Sequence, residues 1–155
     1  MIPEFLFALG LANNLYLISL FLIRKRIEMK QLERFGRIYF LLGIPTVILM
    51  ILVILAEMDS FYAIFLGFFL AFLFIEWLYD FHLKIDFRTN RKHLVPYLIL
   101  YYIMNYGFYV MNWKQSTTAG AIILILFIIQ IVVNIISHPK KEKKKDTEII
   151  PQENH

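Results

Sequence analysis

No cysteine occurs in the 155 residues, which excludes disulfides, thiolate metal sites, thiol redox chemistry and a cysteine nucleophile while leaving the compartment open. The chain has no Walker loop, no GxGxxG turn, no GxSxG elbow, no HExxH pair and no intramembrane histidine pair suited to haem. Ser19, Ser60, Ser116 and Ser137 have no histidine and acid around them in a recognisable order. Internal repeats are also lacking, and five apolar segments of unequal length do not divide into inverted halves, which weighs against the usual secondary-transporter plan. The start of the chain has neither a basic residue nor a small-residue cleavage site, so no cleaved signal peptide is expected.

What the chain does have is apolar length. It is 59% hydrophobic and 17% aromatic with a mean hydropathy of +0.62, above the roughly 45–50% apolar content of an ordinary soluble domain. Several runs approach the ~20 residues that a helix needs to cross hydrocarbon. The pattern predicts an all-α polytopic membrane bundle of five helices, over about 3–23, 38–56, 61–83, 94–110 and 118–136. Pro45 should bend the second. The EMDS stretch, 57–60, is short enough to force a tight hairpin between the second and third. The tail, 139–155, is charged, lacks apolar periodicity and reads as disordered.

Charge fixes an expected orientation. Arg24, Lys25, Arg26, Lys30, Arg34 and Arg37 follow the first helix; Lys84, Arg88, Arg91 and Lys92 follow the third; Lys140, Lys141, Lys143, Lys144 and Lys145 follow the fifth. Only Lys114 of the 16 Lys and Arg falls on the other side, with Glu4, Glu57 and Asp59. Basic loops stay in the cytoplasm, so the N-terminus is expected outside and the C-terminus inside. The localisation that follows is an integral membrane protein, in the plasma membrane if the cell is prokaryotic. Basic residues lying between apolar runs fit anionic lipid headgroups as a partner, and not nucleic acid.

Two groups of polar residues need a physical reason. Glu76 falls roughly 22 Å along the third helix at 1.5 Å per residue, still within a ~30 Å slab, and Asp80 lies one turn on. On a regular helix they share a face with Lys84 and with Phe65, Phe69 and Phe72. If those phenylalanines meet lipid, the acids reach for Lys84, Arg88 or the first loop; if they line a crevice, a greasy wall ends in two acids, a shape suited to an amphipathic ligand. The row Ala63, Gly67, Ala71 is a candidate close contact, with another copy, a partner membrane protein or another helix of the same chain.

The fourth helix carries Tyr97, Tyr101, Asn105, Tyr109 and Asn112 as a polar stripe. Asn105 sits mid-membrane, where an unsatisfied amide costs several kcal/mol. Asn13, Asn14, Gln130 and Asn134 lie at depths where they can meet it. The candidate ligand-binding set is therefore Glu76, Asp80, Tyr101, Asn105, Gln130, Asn134 and Asn13, with interhelical hydrogen-bond glue as the alternative. His82 and Asp86, spaced i, i+4, have zinc-ligand chemistry without an established pattern, so neither metal nor cofactor is expected and His82, His93, His138 and His155 read as interfacial. Three functional classes stay open: a membrane scaffold or accessory subunit, slightly ahead; a protein that binds or transports a small polar or amphipathic solute through a cytoplasm-facing pocket; and a lipid-modifying enzyme at the cytoplasmic interface, with Glu76 or Asp80 as base or metal ligand.

Overall fold

The fold comes from a computed structural model describing residues 1–24, 26, 29–83 and 91–137, the side chains of 29, 30, 32 and 33 excepted. The basic tail, Lys84, Arg88, Asp86, His138 and His155 lie outside the described residues. Those described form helices α1 (Ile2–Ile23), α2 (Met29–Tyr39), α3 (Gly43–Leu55), α4 (Ser60–Trp77), α5 (Arg91–Gln115) and α6 (Thr117–Ser137), with no strand among them. Five stretches are long and apolar enough to cross a membrane: Ile2–Ile23, Arg34–Leu55, Ser60–His82, Arg91–Gln115 and Thr117–Ser137.

Four differences from the expected elements bear on the interior. The basic stretch between the first two apolar segments contributes a helix, α2. In α2 the tyrosine at its C-terminal end is buried while Arg34 and Arg37 stay exposed, as an amphipathic spacing dictates. A 3₁₀ turn, Phe40–Leu42, joins α2 to α3. It places Pro45 in the first turn of α3, where a missing N–H is best tolerated, and Thr46 Oγ1 donates back to the Leu42 carbonyl at 2.6 Å. α4 gives way to a π-turn at Leu78–His82, closed by Leu83 N–H on the Leu78 carbonyl at 2.8 Å. α5 runs past the expected end to Gln115, because MNWK continues a good helix until Ser116 provides a stop.

From α3 onward neighbours in the chain pack on one another, while α1 closes the bundle by packing most extensively on α6 and also against α5 and α3. The core is aromatic: Phe69 meets Phe108 edge-on at 5.0 Å, and Phe72 touches Tyr97 and Tyr101 at 5.2 and 6.1 Å. The outer surface is apolar, with Ile48, Ile51, Ile125, Ile128 and Val132 exposed, the inverse of a soluble bundle.

Close helix approach occurs at glycines other than the expected one. A Cβ on Gly67 would meet nothing within 4 Å, so Ala63, Gly67 and Ala71 do not mark a tight contact within the chain at that glycine. A Cβ on Gly107 would lie 2.6 Å from the Phe65 ring, and one on Gly120 would lie 2.6 Å from Trp113 Cα. At these two positions side chain and backbone of neighbouring elements already fill the space.

The α3–α4 hairpin closes by a Schellman arrangement. Met58 N–H bonds the Val53 carbonyl and Glu57 N–H the Ile54 carbonyl, both at 3.1 Å, with Glu57 at φ 50°. A left-handed glutamate costs about 1 kcal/mol that glycine avoids. Glu57→Gly, on an exposed residue, is expected to raise stability by about 1 kcal/mol in thermal unfolding; an unchanged or lower Tm would show the turn to be relaxed.

Candidate polar site inside the bundle

The polar stripe of α5 faces inward. Asn13, Asn14, Asn105 and Gln130 are each 0% exposed, and Tyr39, Tyr101 and Asn112 are buried with them. Helical rise places Asn13, Asn14, Asn105 and Gln130 roughly 15–20 Å from the bundle end that holds Met1, Gln115 and Thr117. The layer is therefore near mid-span, and the helices that carry it, α1, α5 and α6, pack against one another.

Two side-chain hydrogen bonds of this layer's amides tie elements together. Tyr39 Oη donates to Asn13 Oδ1 at 2.6 Å, and Gln130 Nε2 donates to Tyr101 Oη at 2.6 Å. The other three core amides behave differently. Asn14 donates to its own helix at the Gly10 carbonyl (2.9 Å), Asn105 to that of Tyr101 (2.8 Å) and Asn112 to that of Phe108 (2.8 Å). In each the nitrogen must be the near atom, since a backbone carbonyl only accepts. Their side-chain oxygens point away, and among the described residues Asn14 Oδ1, Asn105 Oδ1, Asn112 Oδ1, Gln130 Oε1 and Asn13 Nδ2 are buried with no hydrogen-bond partner.

Gly10 lets α1 press closely on α5 and α6. Its Cβ position lies 3.1 Å from Ile123 of α6 and 3.3 Å from Asn112 of α5, so the Gly10 face of α1 is the one pressed on both helices. Asn14, one turn on, shares that face.

Glu76 joins the margin of this layer. It is half-buried with one carboxylate oxygen inaccessible, and it lies within electrostatic reach of the neutral Tyr16 and Tyr39 hydroxyls. Phe69 and Phe72 on α4 are buried in the core, so they line the interior and do not meet lipid. Asp80, by contrast, is exposed in the π-turn and does not share the interior with Glu76. Asn134 is half-buried, its backbone carbonyl accepting from Ser137 Oγ at 2.9 Å. His82 stacks on Trp77 at 5.7 Å and His93 meets Tyr79 edge-on at 5.5 Å, and no group of three metal-ligating side chains occurs among the described residues.

Sequence reasoning missed Tyr16 and Tyr39. Tyr16 donates to the Phe35 carbonyl and stacks on Tyr39 at 5.3 Å, so both link α1 to α2. The available signal was the amphipathic spacing ending at Tyr39, hidden among arginines. With the fold and this geometry established, comparison with known proteins adds no relative: no protein-family model matches the chain, and neither a curated protein nor a solved structure is similar to it.

Proposed function

We propose that the protein is an integral membrane protein that binds a small polar solute inside its helix bundle, in the amide layer of α1, α5 and α6, with access from the basic end. The observation that carries this reading is that Asn14, Asn105 and Asn112 hydrogen-bond only their own helices and leave buried oxygens without partners among the described residues. A scaffold that uses amides as interhelical glue needs them to bridge, as Asn13 and Gln130 do. Residues that cost stability and do not join helices are the kind retained for a ligand.

The orientation belongs to the same proposal. With every Lys and Arg but Lys114 in segments that meet one end of the bundle, that end faces the cytoplasm and its anionic headgroups, and the N-terminus lies outside. At the opposite end Lys114 pairs with Asp59 at 3.7 Å and lies 3.9 Å above the Phe61 ring, so its charge is neutralised there.

The test substitutes leucine, which keeps the branched skeleton of asparagine and removes its polar atoms. Asn14→Leu and Asn105→Leu remove an unpaired buried acceptor costing about 1–3 kcal/mol. Both variants are expected to keep or raise the Tm in detergent, whereas Asn13→Leu and Gln130→Leu lower it by losing a bridge. Clear destabilisation by Asn14→Leu and Asn105→Leu would return the scaffold reading to first place.

A further inference from the structure

Resting on the membrane placement proposed above and not on the bound solute, we infer that the outward face of α5 is an interface between two copies of this chain, in which Tyr102 and Tyr106 hydrogen-bond their counterparts. Val95, Ile99, Tyr102, Tyr106 and Trp113 are exposed along α5, Tyr102 at 49% and Tyr106 at 57%. With Tyr109 half-buried in the remaining place, they recur at alternating four- and three-residue spacing, that of a coiled-coil seam.

The rings are held and the hydroxyls are not. Tyr102 packs on Phe127 of α6 at 6.2 Å and Tyr106 on Phe65 of α4 at 6.3 Å, so neighbours on both sides brace the face. No hydrogen bond reaches either hydroxyl among the described residues. Depth makes this costly. At 1.5 Å per residue Tyr106 lies about 22 Å from Arg91 and about 14 Å from Gln115, and a helical side chain leans toward the N-terminal end, so its hydroxyl points into the middle of the span. A hydroxyl that meets only acyl chains lacks the hydrogen bond that water would supply, and lipid tails have neither donor nor acceptor to replace it.

A second copy supplies both. Two copies inserted the same way, related by a two-fold axis along the membrane normal, set each seam residue opposite itself at its own depth. A phenol suits that arrangement because it both donates and accepts. The face carries no charge between Val95 and Trp113, and Arg91 and Lys92 are exposed beyond its end, where water and salt screen like charges. The Ala63, Gly67 and Ala71 row permits a close neighbour but has no polar group in want of one, so it gives no comparable reason to place the copy on α4.

The absence of cysteine makes the test clean. The full chain, in phosphatidylcholine vesicles over a series of lipid dilutions, carries one cysteine: Val95→Cys on the seam, or Ile38→Cys, exposed on α2, each four residues into its apolar stretch. On oxidation Val95→Cys is expected to form a disulfide-linked species of twice the mass at dilutions where Ile38→Cys stays monomeric. Adding Tyr102→Phe and Tyr106→Phe to Val95→Cys should raise the protein-to-lipid ratio at half-maximal cross-linking about tenfold. The same two phenylalanines in the parent chain should leave the Tm of the detergent-diluted monomer unchanged. Equal cross-linking of the two cysteines overturns the interface, and so does a half-maximal ratio that the phenylalanines do not move. A lowered monomer Tm overturns it as well, by placing the hydroxyl bonds within one copy. If Val95→Cys does not fold, Ile99→Cys, one turn along, reads the same seam. A monomer whose Asn14→Leu and Asn105→Leu variants stay stable would remove the interface and leave the solute reading standing, whereas a chain that does not enter the vesicles ends both.

Discussion

Gly120→Val is expected to lower stability by about 3 kcal/mol, at the upper end of the range for overpacking. Only Ser116 separates α5 from α6. Ser116 N–H bonds the Asn112 carbonyl and Gly120 N–H bonds the Ser116 carbonyl, both at 2.9 Å, so the second helix starts while the first is barely finished. The backbones must then nearly touch, and a Cβ on Gly120 would stand 2.6 Å from Trp113 Cα. Backbone cannot rotate out of the way as a side chain can. Relief requires the hairpin to open, which pulls Gln130 from Tyr101 and Ile123 from the Gly10 face of α1. Gly107→Ala should cost less, because the obstacle there is the Phe65 ring. Gly67→Ala, with nothing within 4 Å, should be neutral or raise stability by up to about 1 kcal/mol through helix propensity. The three variants, measured by thermal unfolding in one detergent, should rank Gly120→Val, Gly107→Ala, Gly67→Ala from least to most stable. A Gly120→Val protein as stable as the parent would mean that the hairpin is looser than this geometry.

That contrast illustrates what the sequence displays and what it conceals. Apolar run length is a one-dimensional property, so five segments long and apolar enough to span a membrane were legible without any knowledge of packing. A small residue permits close approach but does not require it; the requirement comes from the partner's position, which no local window encodes. Ala63, Gly67 and Ala71 form the more regular row, yet Gly120 is where backbone arrives, because a one-residue turn forces it. α2 was concealed for a related reason. Its apolar positions are few and sit among arginines, so average hydropathy reads the stretch as a loop while its spacing reads as a helix.

The site divides in the same way. Asn105 announced itself, since an amide in the middle of a long apolar run must find a partner, and the stripe from Tyr97 to Asn112 gave the face it lies on. Which face of α1 turned inward depended on Gly10, whose contacts are visible only in three dimensions. Glu76 and Asp80 look like one feature in the sequence and become two in the fold: the carboxylate of Glu76 is partly enclosed beside Tyr39, while the π-turn leaves Asp80 at the surface. Tyr39 was the least legible of all, an aromatic at an expected membrane edge, where tyrosine is ordinary.

Tyr39→Ala is expected to cost about 3–5 kcal/mol, the range for deleting a large buried aromatic side chain. The ring is fully enclosed, stacked on Tyr16 at 5.3 Å and edge-on to Phe69 and Phe72 at 6.5 and 6.4 Å. It reaches the core from the end of α2, so its loss leaves a cavity at the junction of α1, α2 and α4 and removes the side-chain bond between α2 and Asn13. Tyr39→Phe separates the two contributions. It keeps the ring and strips only the hydroxyl, leaving Asn13 with neither amide atom partnered among the described residues, at about 1–3 kcal/mol. The alanine variant should therefore unfold well below the phenylalanine variant, and amide hydrogen exchange should show α2 losing protection while α6 keeps it. If the two variants unfold together, the hydroxyl bond alone fixes α2 and the aromatic packing adds nothing. If α6 exchanges as freely as α2, the bundle opens as one unit, and α2 is then part of the core that shapes the amide layer instead of a clasp laid over it.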